Sequence, residues 1–402
     1  MLTYSDSGVP APFWRATASV STHALALALT LLFAGLLGGS LQAASLGGFS
    51  QLGISNVFLI MMENHDWSTM GGSPNCPYIN NTLLPRASLA TQYFTPPGNH
   101  PSEPNYIWLV AGTNFGIDND DAPSANQKNT TNHLAFLLDR AGIPWKSYQE
   151  SISGKDIPIV NNGDYAVRHN PFMFFKNITT NLAYVTNHVR PFEELATDLA
   201  NNKVRGFNFI TPNLTNDMHN SVGGVSTRIL GDHWLSLHVP TILSSRAFTN
   251  GGVLFIAWDE GSIGGSTGES DGPLGIIAAS PVAKGHGYVN TIHYTHSSTL
   301  RTFQDILGVR PYLGDAAKAN DLSDLFIPAP SVSDTSFVDI GLQVTVTNLW
   351  IGRTYELQTT TELPATKWTA VATKTATKTT HALVDPKAPR SDYDFYRVVA
   401  LP

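Results

Sequence analysis

Four strand-like runs stand out along the chain: Val57-Phe58-Leu59-Ile60-Met61-Met62, Phe207 to Thr211, Gly252 to Trp258 and Leu274 to Ala279. The first and third are continuous apolar stretches, the pattern of a strand buried on both faces. Helical stretches lie between the runs. Asn132 to Arg140 reads as a helix that stops at Gly142, where glycine can take the left-handed conformation that ends a helix. Ser297-Ser298-Thr299 offers an N-cap to a helix over Leu300 to Leu307 that ends at Gly308. Strands alternating with helices predict an α/β domain with a mostly parallel sheet and helices on both faces.

The pattern changes after Ile327. Pro328-Ala329-Pro330-Ser331 reads as a linker. Alternating Thr- and Val-rich stretches follow: Leu342 to Val346, Tyr355 to Thr359, Trp368 to Val371 and Phe395 to Val399. Short, regularly spaced strands predict a small β-sandwich. Trp368 and Tyr396 are read as core packing. The expected organisation is 1–44 as a signal peptide, 45–327 as the α/β domain, 328–335 as a linker and 336–402 as the β-sandwich.

The signal peptide rests on the charge-free run Ala24 to Leu41, preceded by Arg15 and followed by Ala43-Ala44. A basic start, an apolar middle and a small-residue cleavage site are the marks of an export signal. Glycines break the run short of the roughly 18 apolar residues that a span needs. The expected location is therefore secreted, periplasmic or cell-surface, with no stable membrane span after cleavage.

Composition narrows the function classes. The 402 residues carry 24 Lys+Arg against 31 Asp+Glu, a formal charge of -7, so no electrostatic footprint for nucleic acid is visible. With 42% hydrophobic and 14% charged residues, the chain is neither disordered nor a coiled coil. The single cysteine, Cys76, excludes an intrachain disulfide and a multi-cysteine metal site.

Chemistry gathers where strands end. Met62 is followed by Glu63-Asn64-His65, and Trp258 by Asp259-Glu260-Gly261. In an open α/β sheet, ligands bind beyond the carboxyl ends of the strands, and hard oxygens from two strand ends can converge on one divalent cation. Ser102 lies among prolines before the apolar stretch Ile107 to Gly112. A serine at a helix N-terminus faces free N–H groups that suit a phosphate. His169, His219 and His296 lie in polar, turn-like settings near predicted strand or helix ends. Each alone reads as structural; together with the carboxylates they point to a site.

Several ordered motifs then become specific. Met62-Glu63-Asn64-His65-Asp66-Trp67, Pro77 to Asn80, His100-Pro101-Ser102-Glu103-Pro104-Asn105-Tyr106, Gly142 to Glu150, His169-Asn170-Pro171-Phe172, Thr211 to His219, Trp258-Asp259-Glu260-Gly261 and His296 to Thr302 resemble the bacterial phosphoesterase family of acid phosphatases and phosphocholine-type phospholipases C. They follow the family's order over roughly residues 53–310. The resemblance implies the alkaline phosphatase-like α/β fold. It also implies one divalent metal ion, of unspecified identity, held by Glu63, Asn64, Ser102, Asp259 and Glu260. Ser102 would be the nucleophile, giving a phosphoseryl intermediate. His219 and His296 would touch phosphoryl oxygens or the leaving group, and His169 and Asp217 would help bind substrate. Asp66 departs from the pattern, since the family commonly has Ser there.

The implied function is a secreted, metal-dependent acid-phosphatase-type phosphomonoesterase acting on a small phosphate ester or a phospholipid head group. A phospholipase C-type phosphodiesterase and an inactive phosphatase-like surface-binding protein are the alternatives. The C-terminal module resembles β-sandwiches appended to exported bacterial proteins, and a cell-surface or polymer contact is expected of it.

Overall fold

The protein, seen as a computed structural model, is described here over residues 14–16, 49, 52–204, 206–261, 271–363, 367–391 and 393–401. The expected signal run Ala24 to Leu41 lies outside these residues. The chain divides into two units, 52–328 and 329–401, the second grouped with the N-terminal segment.

The larger unit is built on an eight-stranded sheet. In chain order its strands are β1 (Asn56–Met62), β2 (Ser88–Ala90), β3 (Trp145–Gln149), β4 (Val189–Pro191), β5 (Gly206–Thr211), β6 (Gly252–Trp258), β7 (Ile276–Ala279) and β8 (Tyr288–Asn290). Across the sheet they run β8-β2-β7-β6-β1-β5-β3-β4. β1 pairs in parallel with both β5 and β6, and β3 pairs in parallel with β4 and β5. β7 is antiparallel to β6 and β2. Every residue of β5, β6 and β7 is buried, as is β1 after Asn56. Strands covered on both faces fit the continuous apolar runs. This is the α/β, mostly parallel architecture expected from the sequence.

Register places the chemistry. Met62 of β1 pairs with Trp258 of β6, so Glu63 and Asp259 leave the sheet side by side. The parallel ladder continues one step further, with the Asp259 N–H donating to the Met62 carbonyl at 3.1 Å. β5 ends at Thr211 on the other side of β1 and leads into the turn that carries Asp217 and His219.

The longer helices include α1 (Ser102–Ala111), α2 (Leu134–Arg140), α3 (Thr227–Leu243) and α4 (His296–Leu307), of which α1 and α4 carry residues of the site. α1 and α4 pack together, joined by a 2.8 Å hydrogen bond from Trp108 Nε1 to Ser297 Oγ. Ser102 is the first helical residue of α1, with Pro101 at the cap position. For α4 the expected cap at Ser297 to Thr299 is corrected. Thr295 is the N-cap, in a capping box with Ser298, and Gly308 closes the helix at φ 67°. Three candidate hydroxyls lay close together, and the reciprocal pair three residues apart satisfies two orphan N–H groups at once.

The smaller unit is the expected β-sandwich. One sheet contains β9 (Ser331–Val338), β10 (Gly341–Thr347) and β13 (His381–Asp385). The other contains β11 (Thr354–Thr360), β12 (Thr369–Thr375), β14 (Asp394–Ala400) and a short strand, Trp14–Ala16, antiparallel to β14. β9 begins within the stretch expected to be linker. Leu342, Val344, Val346, Tyr355, Leu357, Leu383 and Tyr396 form the shared core. They alternate along β10 with partly exposed residues, the period expected of strands with one buried face.

Candidate active site

Glu63 is fully buried at the end of β1 and is held from three directions. Its own N–H donates to the Asp217 carbonyl at 2.8 Å. Its Oε1 accepts the Tyr106 hydroxyl at 2.6 Å and lies 3.1 Å from His169 Nε2. Its Oε2 lies 3.3 Å from Ser102 Oγ. Ser102, only 2% exposed, is also 3.3 Å from Glu260 Oε1. The serine hydroxyl therefore sits between carboxylates supplied by two neighbouring strand ends.

Asn64 takes a left-handed backbone, φ 44°, a conformation Asn tolerates better than most residues. This turn brings its N–H to Asp259 Oδ1 at 3.3 Å. The remaining oxygens, Asn64 Oδ1 and Asp259 Oδ2, are buried and make no hydrogen bond. Buried oxygens without donors are costly. Unpartnered buried oxygens of this kind suit a hard divalent cation. Of the five expected ligands, Ser102 touches Glu63 and Glu260, and the Asn64 N–H touches Asp259.

His169 joins this group to Asp217. Its ring stacks on Tyr106 at 4.9 Å and 7°, and its Nδ1 lies 3.3 Å from Asp217 Oδ2. Glu63, His169 and Asp217 form one buried cluster capable of holding a metal ion; His100, Glu260 and Asp271 form another. The Asp217 side chain also accepts the His219 N–H at 2.8 Å. The intervening Met218 has φ 85°, strain that the surrounding hydrogen bonds must hold.

The two remaining histidines separate in role. Arg168 donates to His219 Nε2 at 3.2 Å, and His219 Nδ1 pairs with Asn220 Oδ1 at 2.7 Å. Arg cannot accept, so Nε2 is the acceptor and Nδ1 carries the proton. His219 thus brings a permanent guanidinium to the Asp217 side of the site. His296 is fully buried, and both its nitrogens are engaged. Nε2 donates to the Asp259 carbonyl at 2.6 Å, and Nδ1 accepts from the Tyr93 hydroxyl at 2.8 Å. Contrary to the expectation of a phosphoryl contact, this geometry makes His296 a support for Asp259.

Burial dominates the electrostatics. It pushes the Asp259 carboxyl up to about 7 and Glu260 up to about 9, and raises Glu63 and Asp217 well above the ordinary range. The neighbouring Asp259 charge adds to the effect at Glu63, Asp217 and Glu260. Burial lowers His169 far below its usual value and His296 to about 4. A cation among these oxygens would favour the charged carboxylates instead.

Sequence reasoning assigned no role to Tyr106, Tyr93, Arg168, His100 or Asp271. Tyr106 was within reach, because it lies four residues after Ser102 and hence on the same helical face. Asp271 had no comparable signal.

The phosphoesterase family model matches residues 75–310. The chain is 28% identical over 300 residues to the phosphatidylinositol-3-phosphatase of Mycobacterium tuberculosis, covering 73% of this chain and 92% of that protein. It is 26% identical over 333 residues to the phosphate-repressible acid phosphatase of Penicillium chrysogenum, covering 81% and 74% respectively. Among solved structures, a protein of the alkaline phosphatase superfamily from Vibrio parahaemolyticus aligns at 10% identity and a TM-score of 0.43, over 73% of this chain and 76% of its own.

Proposed function

We propose that this chain, which belongs to the phosphoesterase family and is a hydrolase of phosphoric esters, is a secreted, metal-dependent phosphomonoesterase that works through phosphoserine. The observation that carries this reading is Ser102 Oγ, set 3.3 Å from both Glu63 Oε2 and Glu260 Oε1 at the start of α1. A divalent cation bound by Glu63, Asn64, Ser102, Asp259 and Glu260 would lower the serine pKa and offset charge on the phosphoryl oxygens.

The chain's own groups do the rest. Ser102 Oγ attacks phosphorus as the bond to the leaving oxygen breaks in line, the proton given up by the serine being balanced by one taken up by the leaving oxygen. The Glu103 N–H is taken by Asp120 Oδ1 at 2.9 Å and Pro104 has none, so the start of α1 offers the incoming phosphoryl group the positive end of its dipole. Arg168, seated beside His219, offers further donors to its oxygens. Water then displaces the serine, releasing phosphate.

The relatives are named as phosphatases, which supports the monoester reading over a phospholipase C-type diesterase. Export is supported by the apolar run Ala24 to Leu41. Among the described residues no helix is long and apolar enough to cross a membrane.

The deciding experiment compares p-nitrophenyl phosphate with its phosphocholine diester, with and without chelator, in wild type and Ser102→Ala. Chelator-sensitive monoester turnover, lost by orders of magnitude in Ser102→Ala, is expected, with phosphate trapped on Ser102 of the wild type. Near-normal turnover in the Ala variant would reduce Ser102 to a structural residue.

A further inference from the structure

We infer that His100, Glu260 and Asp271 form a second divalent-cation site, distinct from the central donor set and joined to it by Glu260 as a bridging carboxylate. This rests on the reading of the central site given above.

The ligand atoms come from three segments: the loop before α1, the end of β6 and the chain beyond it. His100 Nδ1 lies 2.6 Å from Glu260 Oε2 and 3.3 Å from Asp271 Oδ2, and all three atoms lie within 4.8 Å of one another. Glu260 is 3% exposed and Asp271 is 4% exposed. Despite their approach, Nδ1 of His100 and Oε2 of Glu260 make no hydrogen bond. An imidazole nitrogen and two carboxylate oxygens converging beside buried side chains suit a shared cation. The two oxygens of Glu260 are also divided, with Oε1 toward Ser102 and Oε2 toward His100.

Charge balance points the same way. Glu260 and Asp271 are both buried beside His100, and a cation between them would offset their charge. Uncompensated buried charge is strongly unfavourable. A further carboxylate borders the cluster. A Cβ placed on Gly261 would sit 2.6 Å from Asp66 Oδ1 and 3.7 Å from Asp271 Cβ. The Glu63-His169-Asp217 cluster is a poorer second site, because Glu63 Oε1 already accepts the Tyr106 hydroxyl. The His100 side chain is 38% exposed, which leaves a route from solvent. Imidazole with carboxylates suits a cation such as Zn2+ or Mn2+.

The test is Mn2+ binding to the chelator-stripped full chain, followed by calorimetry and by elemental analysis after gel filtration. Wild type, His100→Gln, Asp271→Asn and Asn64→Ala are compared, with circular dichroism confirming the fold of each. Two ions in wild type, with one lost in both His100→Gln and Asp271→Asn, is the expected result. One ion in wild type, unaffected at His100 and Asp271 but lost in Asn64→Ala, would overturn the second site and leave the central one standing. One ion lost only in the His100 and Asp271 variants would support this site and overturn the central reading. No bound Mn2+ in wild type would overturn both.

Discussion

His296 donates from Nε2 to the backbone carbonyl of Asp259 at 2.6 Å. The orientation is fixed because Nδ1 accepts from Tyr93, whose own hydroxyl lies 2.8 Å from Thr299 Oγ1. The imidazole therefore governs where the Asp259 carboxylate stands. His296→Ala should weaken metal binding about 10- to 100-fold, the usual effect of losing a partner behind a ligand. Excess metal should restore much of the turnover. Activity that stays low at saturating metal would instead place His296 against the substrate.

Tyr106→Phe removes the 2.6 Å hydrogen bond to Glu63 Oε1 but keeps the ring stacked on His169. The stranded carboxylate oxygen should cost about 1–3 kcal/mol of stability. That hydrogen bond also lowers the Glu63 pKa, so the Phe variant should need higher pH to load metal. A denaturation midpoint and a metal titration at two pH values test this; wild-type behaviour in both would show that the hydroxyl is dispensable.

The chelated protein should lose stability as pH rises. Burial lifts the Asp259 carboxyl to about 7 and Glu260 to about 9 in the folded state, against about 4 when unfolded. Between those values the folded chain binds more protons, so stability falls with increasing pH, by up to about 1.4 kcal/mol per unit for each group. Bound metal holds the deprotonated forms and should remove the trend. Melting temperatures from about pH 5 to 9, with chelator and with Mn2+, test it. A chelated protein whose melting temperature is flat or rising over that window would contradict the assignment.

A chain ending at Ala329 should fold and keep its turnover of a small soluble ester. Ile327 still bonds back to Val282 at 3.0 Å within the larger unit, and the β-sandwich has its own core. Units with separate cores are generally separable. A shortened protein that is folded and metal-loaded yet inactive would show that the module shapes the pocket.

The strands were legible because burial on both faces leaves a continuous apolar run, as in Val57 to Met62. Strand direction was not legible: Ile276 to Ala279 reads the same whether it runs with or against β6, and only β7 opposes its neighbours. Glu63, Asn64, Ser102, Asp259 and Glu260 could be singled out because each follows such a run or lies in a dense motif. His100 stood in a motif without an assigned role, and its partner Asp271 lies ten residues or more past the end of β6. Their association depends on how the chain returns after that strand, which no local pattern records.

The pairing of Met62 with Trp258 makes the active centre sensitive to insertions and deletions as well as substitutions. Lengthening β1 by one residue would carry Glu63 about 3.3 Å past Asp259 and turn it to the opposite face of the sheet. A matching insertion in β6 would restore the level, but would displace both from Asp217 beyond β5. The length of these three strands therefore sets how Glu63, Asp259 and Asp217 line up. Divergence within the fold should concentrate in the loops, where a residue can be gained without shifting the carboxylates.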